Sequence, residues 1–169
     1  MIAATVAGET LKLLADRAIY WPRRSTLLLA DPHFGKAAAF RSAGVPVPRG
    51  TTTEALRRLD VLLDTVAASR IVFLGDFLHA REGRSPETFR VINAWRSRRA
   101  GLEMTLVRGN HDARAGDPPL DLDMRCVNEP LVETPFALAH KPAPHADGYV
   151  LAGHLHPAAR LRGAGRQST

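Results

Sequence analysis

The chain has 169 residues, with 23 Lys and Arg against 17 Asp and Glu, for a formal net charge of +6. That length fits a single domain over 1–169 and is enough to bury a sizeable core without staples. No run approaches the roughly 20 apolar residues of a membrane helix, and Glu9 and Lys12 interrupt any secretory leader, so a soluble, cytoplasmic protein is expected. Cys126 is the only cysteine, which rules out an internal disulfide and fits a plain thiol in a reducing compartment. Most of the positive charge is arginine, which suits a phosphate-rich partner, nucleic acid first.

The first 24 residues read as short strands and turns, punctuated by Gly8 and by Tyr20-Trp21-Pro22. Thr26 to Ala30 is an apolar run that predicts a buried strand. A helix opens near Gly35 and runs to about Ala43, and the prolines and glycines of 44–50 make a loop. Thr51 to Ala68 is an amphipathic helix, with Leu56, Leu59, Leu62 and Leu63 at helical spacing. Ile71 to Leu74 is the second core strand. Ser85 then caps a helix with Pro86 at its first position, and Gly101 ends it. Further strands follow at Met104–Val107, Phe136–Ala139 and Tyr149–Ala152. Strands alternating with helices predict an α/β domain.

Each of these five strands ends in polar residues of one chemical kind. In chain order they are Asp31-Pro32-His33, Gly75-Asp76-Phe77-Leu78-His79, Gly109-Asn110-His111-Asp112, His140, and Gly153-His154-Leu155-His156. Six of the seven histidines fall in these segments, and only His145 lies outside. Taken singly each segment is weak, because Gly-Asp and Gly-Asn at a strand end are usually turns. Together they would need five coincidences in one chain. Ligands gather outside the carboxyl ends of strands in α/β sheets. Asp31, His33, Asp76, Asn110, His140, His154 and His156 are therefore predicted to meet. Mixed nitrogen and oxygen donors without thiolate suit Mn²⁺, Fe or Zn²⁺ better than Ca²⁺ or Mg²⁺. Seven donors exceed one tetrahedral ion and match two ions that share a carboxylate.

In this order the five blocks resemble the calcineurin-like metallophosphoesterases, whose pattern is D-x-H, G-D-x-x, G-N-H-D/E, a lone H and G-H-x-H. The likeness extends from Asp31 to His156. It implies a four-layer α/β/β/α sandwich with a dimetal site. It also implies that Asp31, His33 and His156 hold one ion, that Asn110, His140 and His154 hold the other, and that Asp76 bridges them. His111 would face the substrate phosphate and Asp112 would orient it, with Gly109 permitting the turn. Within the superfamily, "ADPHFGKAAAFRSAGVPVPRGTT" and "FLGDFLHAR" are most similar to the bacterial ligase-associated DNA damage response phosphodiesterases, described as endonucleases. Those are encoded beside a helicase and a DNA ligase, and their chains continue past the segment matching "GHLHPAARLRGAGRQST" with further strands. The G-D-x-x-D-R-G block of the protein phosphatases is absent, and His79 stands where its second Asp would be.

The expected activity is hydrolysis of a phosphodiester, DNA first, by a water activated between two divalent ions, with Mn²⁺ ahead of Fe or Zn²⁺. His111 would stabilise the developing charge and protonate the leaving oxygen. Lys36, His79, Arg81, Arg84 and Arg108 adjoin the motifs and are candidates to hold the substrate. Lys36 stands where the start of a helix would favour a phosphate. Two other readings stand beside this one. Hydrolysis of a small or lipid-linked substrate would want an apolar cap, whereas the loop at 80–86 is charged. A non-catalytic scaffold would have no need of His111 and all seven ligands.

Overall fold

A computed structural model describes residues 1–156, and the segment 157–169 lies outside the described residues. The large sheet has seven strands in sequence order: β1 (Ile2–Val6), β2 (Glu9–Leu14), β3 (Ala18–Trp21), β4 (Thr26–Leu29), β5 (Arg70–Leu74), β6 (Glu103–Val107) and β7 (Met124–Val127). From β1 to β4 the pairing is antiparallel, and from β4 to β7 it is parallel. A second sheet joins β8 (Leu131–Glu133), β9 (Phe136–Ala139) and β10 (Tyr149–Ala152), with β9 central and parallel to β10. The helices are α1 (Lys36–Ser42), α2 (Thr51–Val66), α3 (Pro86–Arg98) and α4 (Asn110–Ala115). No helix among the described residues is long and apolar enough to cross a membrane.

The parallel strands read as unbroken apolar runs because both of their faces are covered. Alternation sends Leu27, Ile71, Phe73, Met104 and Leu106 to one side, where they meet Leu56, Leu59 and Leu63 of α2 and Ile92 and Trp95 of α3. Leu28, Val72, Leu74 and Val107 point the other way, against Phe136, Leu138 and Leu151 of the small sheet. Helices, large sheet and small sheet thus form three layers around two cores. Among the described residues no helix covers the outer face of the small sheet, so the expected fourth layer is not part of this description.

Most predicted elements lie within two residues of their expected bounds. Ser85 caps α3 as foreseen, its Oγ accepting from the Thr88 amide at 3.1 Å. Tyr20 and Trp21, expected to punctuate, instead belong to β3, and Trp21 is wholly buried. The indole sits edge-on to Phe136, 4.9 Å between ring centres, and its Nε1–H donates to Glu9 Oε2 at 2.8 Å. Trp21 therefore pins the two sheets together. The strands β7 and β8 were not foreseen, being short and, in β7, interrupted by Arg125. Cys126 is half-buried, and burial pushes its thiol up to about 11, which leaves it protonated and unreactive near neutral pH.

Replacing Trp21 with Ala should cost about 3–5 kcal/mol of stability. Urea unfolding of the metal-free protein measures this, with Trp21→Phe losing less because the edge contact to Phe136 partly persists.

Candidate metal centre and active site

The loops after β4 and β5 do not diverge. They continue the sheet's ladder: the Asp31 amide donates to the Gly75 carbonyl at 3.2 Å, His33 to Asp76 at 3.0 Å and Phe34 to Phe77 at 2.8 Å. The His79 amide returns a bond to the Phe34 carbonyl at 3.1 Å. This pairing sets Asp31, His33, Asp76 and His79 side by side. The third loop is tied in by the His111 amide, which donates to Asp76 Oδ1 at 2.9 Å. The fifth is tied by the His154 amide, which donates to Asp31 Oδ2 at 2.8 Å.

The seven predicted ligands lie together in two sets joined by His140, whose Nδ1 is also 3.5 Å from Asp31 Oδ1. Around Asp31 stand His33 and His156, with His156 Nε2 3.9 Å from Asp31 Oδ2. Around Asp76 Oδ1 stand Asn110, His140 and His154: His140 Nε2 is 3.6 Å from Asp76 Oδ1, 2.8 Å from Asn110 Oδ1 and 3.0 Å from His154 Nδ1. The other oxygen of Asp76, Oδ2, faces His33 Nε2 at 3.8 Å. Donor atoms held about 2.0–2.2 Å from one ion lie roughly 3 Å apart, which is the spacing of the second set.

The chemistry of these atoms fits cations. His140 Nδ1 lies 3.2 Å from the Leu74 carbonyl and Nε2 lies 2.8 Å from Asn110 Oδ1, and since both oxygens only accept, a neutral ring can donate to just one of them. With the proton on Nδ1, Nε2 keeps a lone pair towards Asn110 Oδ1, an arrangement that a cation beside both atoms would satisfy. Asp31 Oδ1 is buried with no hydrogen-bond donor. Asp76 is 2% exposed, and neither carboxylate pairs with Lys or Arg among the described residues. Buried charge of that kind needs a counter-ion. Burial also pushes His33 down to about 4, keeping it in the neutral form that binds metal.

Three glycines make the crowding feasible. A Cβ at Gly109 would overlap Asp76 Oδ1, and one at Gly75 would overlap the His140 ring. A Cβ at Gly153 would lie 2.6 Å from the Ala30 Cβ and 2.9 Å from Asp31 Oδ2. Gly109 has φ −99° and ψ −179°, ordinary extended backbone, so it serves close approach and not the turn expected of it. The turn strain is carried elsewhere. Asp31, His33, Asp76, His154 and His156 all have φ between 44° and 71°, a region costly for side chains.

His111 lies beside this cluster, partly exposed, its Nδ1 against the His79 carbonyl. In the neutral ring that nitrogen carries the proton towards the carbonyl, and Nε2 lies 3.9 Å from Asp76 Oδ2. Asp112 does not touch the His111 ring among the described residues, contrary to expectation. Its Oδ2 accepts from the Gly109 amide at 2.9 Å and its Oδ1 from the Leu78 amide at 3.2 Å, so it fastens the third loop to the second. Burial pushes the Asp112 carboxyl up, while these two donors work the other way. The back-bond from Asp112 to Gly109 is half a capping box, and it opens helix α4, which sequence reading took for a turn.

The expected substrate residues divide. Lys36 lines a hollow with Asp31, His33 and His156, and His79 stacks on His111, whereas no side-chain contact among the described residues ties Arg81 to the site. Arg108 is consumed by Asp117, at 2.7 and 2.6 Å, and by Asn128 at 3.0 Å. Arg84 donates to the carbonyls of Ala115, Gly116 and Asp117 at 2.8–3.3 Å. Both are struts, and both leave the candidate substrate set. Sequence reading missed Glu129, whose Oε2 accepts from the amides of His140 and Lys141 at 2.8 and 2.9 Å and so holds the fourth loop. No local pattern marks a residue that acts across eleven positions.

Comparison with protein-family models gives no match, and comparison with curated proteins gives none either. Among solved structures, the crystal structure of Pseudomonas putida nuclease MPE matches with a TM-score of 0.88 and 49% sequence identity, over 96% of this chain and 76% of that one.

Gly109→Ala should displace the Asp76 carboxylate and lower the Mn²⁺ bound per chain to less than about half of the wild-type value. Gly101→Ala is the control, since nothing lies within 4 Å of a Cβ there. Elemental analysis of both, with circular dichroism to verify folding, decides whether the glycine guards the metal centre.

Proposed function

The chain belongs to the family of the Pseudomonas putida nuclease MPE, and on that premise we propose that it is a two-metal phosphodiesterase of the calcineurin-like metallophosphoesterase type, cutting DNA in repair. One observation carries the reading: the two oxygens of Asp76 face two different sets of donors. A bridging carboxylate between such sets is the arrangement a dimetal site needs. The three described layers also agree with three of the four in the α/β/β/α sandwich of that superfamily. We read the whole chain as one such domain.

Asp31, His33, Asp76 and His156 would hold one ion, and Asp76, Asn110, His140 and His154 the other. Mn²⁺ is the first candidate, then Fe or Zn²⁺, on the mixed nitrogen and oxygen donors. When bound, such ions polarise a phosphodiester and lower the pKa of a water towards 7. The protein's own residues supply position and a proton. The carbonyl of His79 fixes the His111 ring, so Nε2 points at the phosphate. When His111 is protonated there, the Nε2 proton passes to the leaving sugar oxygen as the phosphorus–oxygen bond breaks and the water's oxygen joins phosphorus, the water having given one proton to solvent, from which His111 Nε2 is reprotonated for the next turnover. Asp112 acts one step back, holding the backbone that carries His111 and Asn110. Lys36 and Arg81 would meet flanking phosphates. A helicase and a DNA ligase are partners proposed on the family resemblance alone.

Hydrolysis of bis-p-nitrophenyl phosphate against p-nitrophenyl phosphate, after chelation and Mn²⁺ return, tests the class of reaction. The diester should be cut. Cleavage of the monoester alone would make the protein a phosphatase. In the same assay His111→Ala should lower turnover by about 10²–10⁴ with metal content kept. Asp76→Ala should lose metal and activity together. Equal loss of both in His111→Ala would sink the role given to that ring.

A further inference from the structure

A file of rings leads out of the site. His33 lies edge-on to His111 at 4.8 Å, His111 stacks on His79 at 5.1 Å with planes 23° apart, and His79 meets Phe40 at 5.7 Å and 61°. Phe40 ends the file on α1 and is 39% exposed. The amino group of Lys36 lies 5.8 Å from its ring centre.

A single exposed phenylalanine is ordinary on a protein surface. Three features set this one apart. It stands two ring contacts from the imidazole that would face the scissile phosphate. Its surroundings are braced: Arg41 spends its guanidinium on the carbonyls of Val47 and Pro48 at 3.4 and 3.2 Å, and the Val45 amide donates to the Phe40 carbonyl at 2.9 Å. The neighbouring cation is available to an anion, because Lys36 forms no ion pair among the described residues and only rests its ammonium 5.8 Å from the Phe40 ring centre, while Arg49, Arg84 and Arg108 are tied down. A braced aromatic ring beside an ammonium without a carboxylate partner is what a base and its phosphate need, since bases stack on aromatics and phosphates seek cations.

We propose that Phe40 and Lys36 form a nucleotide subsite beside the cut bond, Phe40 stacking one nucleobase and Lys36 meeting the adjoining phosphate. The inference rests on the phosphodiesterase reading above and adds to it a residue that would select for bases. His79 is shared: its carbonyl holds His111 and its ring backs Phe40.

The test compares a short oligothymidylate with a chain of the same length built from abasic tetrahydrofuran residues, which keeps every phosphate and removes every base. Both are assayed with Mn²⁺ on the wild type, Phe40→Leu, Phe40→Trp and Lys36→Met. The wild type should prefer the chain with bases. Phe40→Leu keeps the apolar packing against His79 and should lose about tenfold of that preference, in KM more than in kcat. Phe40→Trp should restore it. Lys36→Met should raise KM for both chains alike. A wild type indifferent to bases, or a Phe40→Leu variant whose preference is intact, would overturn the subsite. Equal loss on both chains in Phe40→Leu would also overturn it, making Phe40 a prop for His79. If the wild type cuts bis-p-nitrophenyl phosphate and neither oligomer, the nuclease reading fails, and if it cuts none of the three, the phosphodiesterase reading fails.

Discussion

Two carboxylates, Asp31 and Asp76, are packed at the strand ends with no lysine or arginine against them among the described residues. Leaving ionised groups in such a place is costly unless positive charge arrives. Much of the local architecture follows from that condition. With the His140 proton on the Nδ1 that faces the Leu74 carbonyl, lone pairs meet at His140 Nε2 and Asn110 Oδ1. Gly75, Gly109 and Gly153 occur where any side chain would fill the space the donors need. The backbone amides of His111 and His154 donate to the two carboxylates, which gives partial compensation without closing the site.

The same condition explains where strain is kept. Five of the seven ligands have left-handed backbone, at roughly 1–3 kcal/mol each. Loops with that cost hold their shape only when the surroundings over-determine them. Here the surroundings are two cores on opposite faces of one sheet. The parallel strands β4, β5 and β6 are buried on both sides, so charged residues occur only at their ends. There the ladder between the first two loops carries sheet order onward to His79. The predicted ligands gather at the strand ends because the packing of these strands offers them no other rigid place open to water.

How much of this can be read from the sequence depends on the range over which a residue acts. The core strands are legible because burial on two faces produces unbroken apolar runs, as in Ile71 to Leu74. The ligands are legible because each follows such a run directly. What escapes is relational. Trp21 looks like a turn marker beside Pro22, yet its indole joins Glu9 to Phe136 across two sheets. Asp112 looks like a partner for its neighbour His111 and instead fastens Leu78, 34 positions earlier. Gly109 looks like a turn glycine, and only the position of Asp76 reveals that it is a space-maker. Glu129 carries no local signal at all.

Charge is where the sequence misleads most. The excess of arginine reads as a surface for nucleic acid, but many of these side chains serve as internal ties. Arg70 grips Glu133 of the small sheet, Arg96 is buried on the Leu122 carbonyl, Arg99 joins Asp60 and Asp64 of α2, and Arg84 and Arg108 brace the third loop. Guanidinium suits that work, since its planar fork meets carboxylates and carbonyls with several bonds at once. A net charge of +6 therefore says little about the cleft. On the two-metal reading proposed above, attraction for a phosphodiester would come mainly from the cations the carboxylates call for, with Lys36 beside them. Such a site would draw phosphate strongly only when metal is bound, which would couple substrate capture to the state in which the bond can be cut.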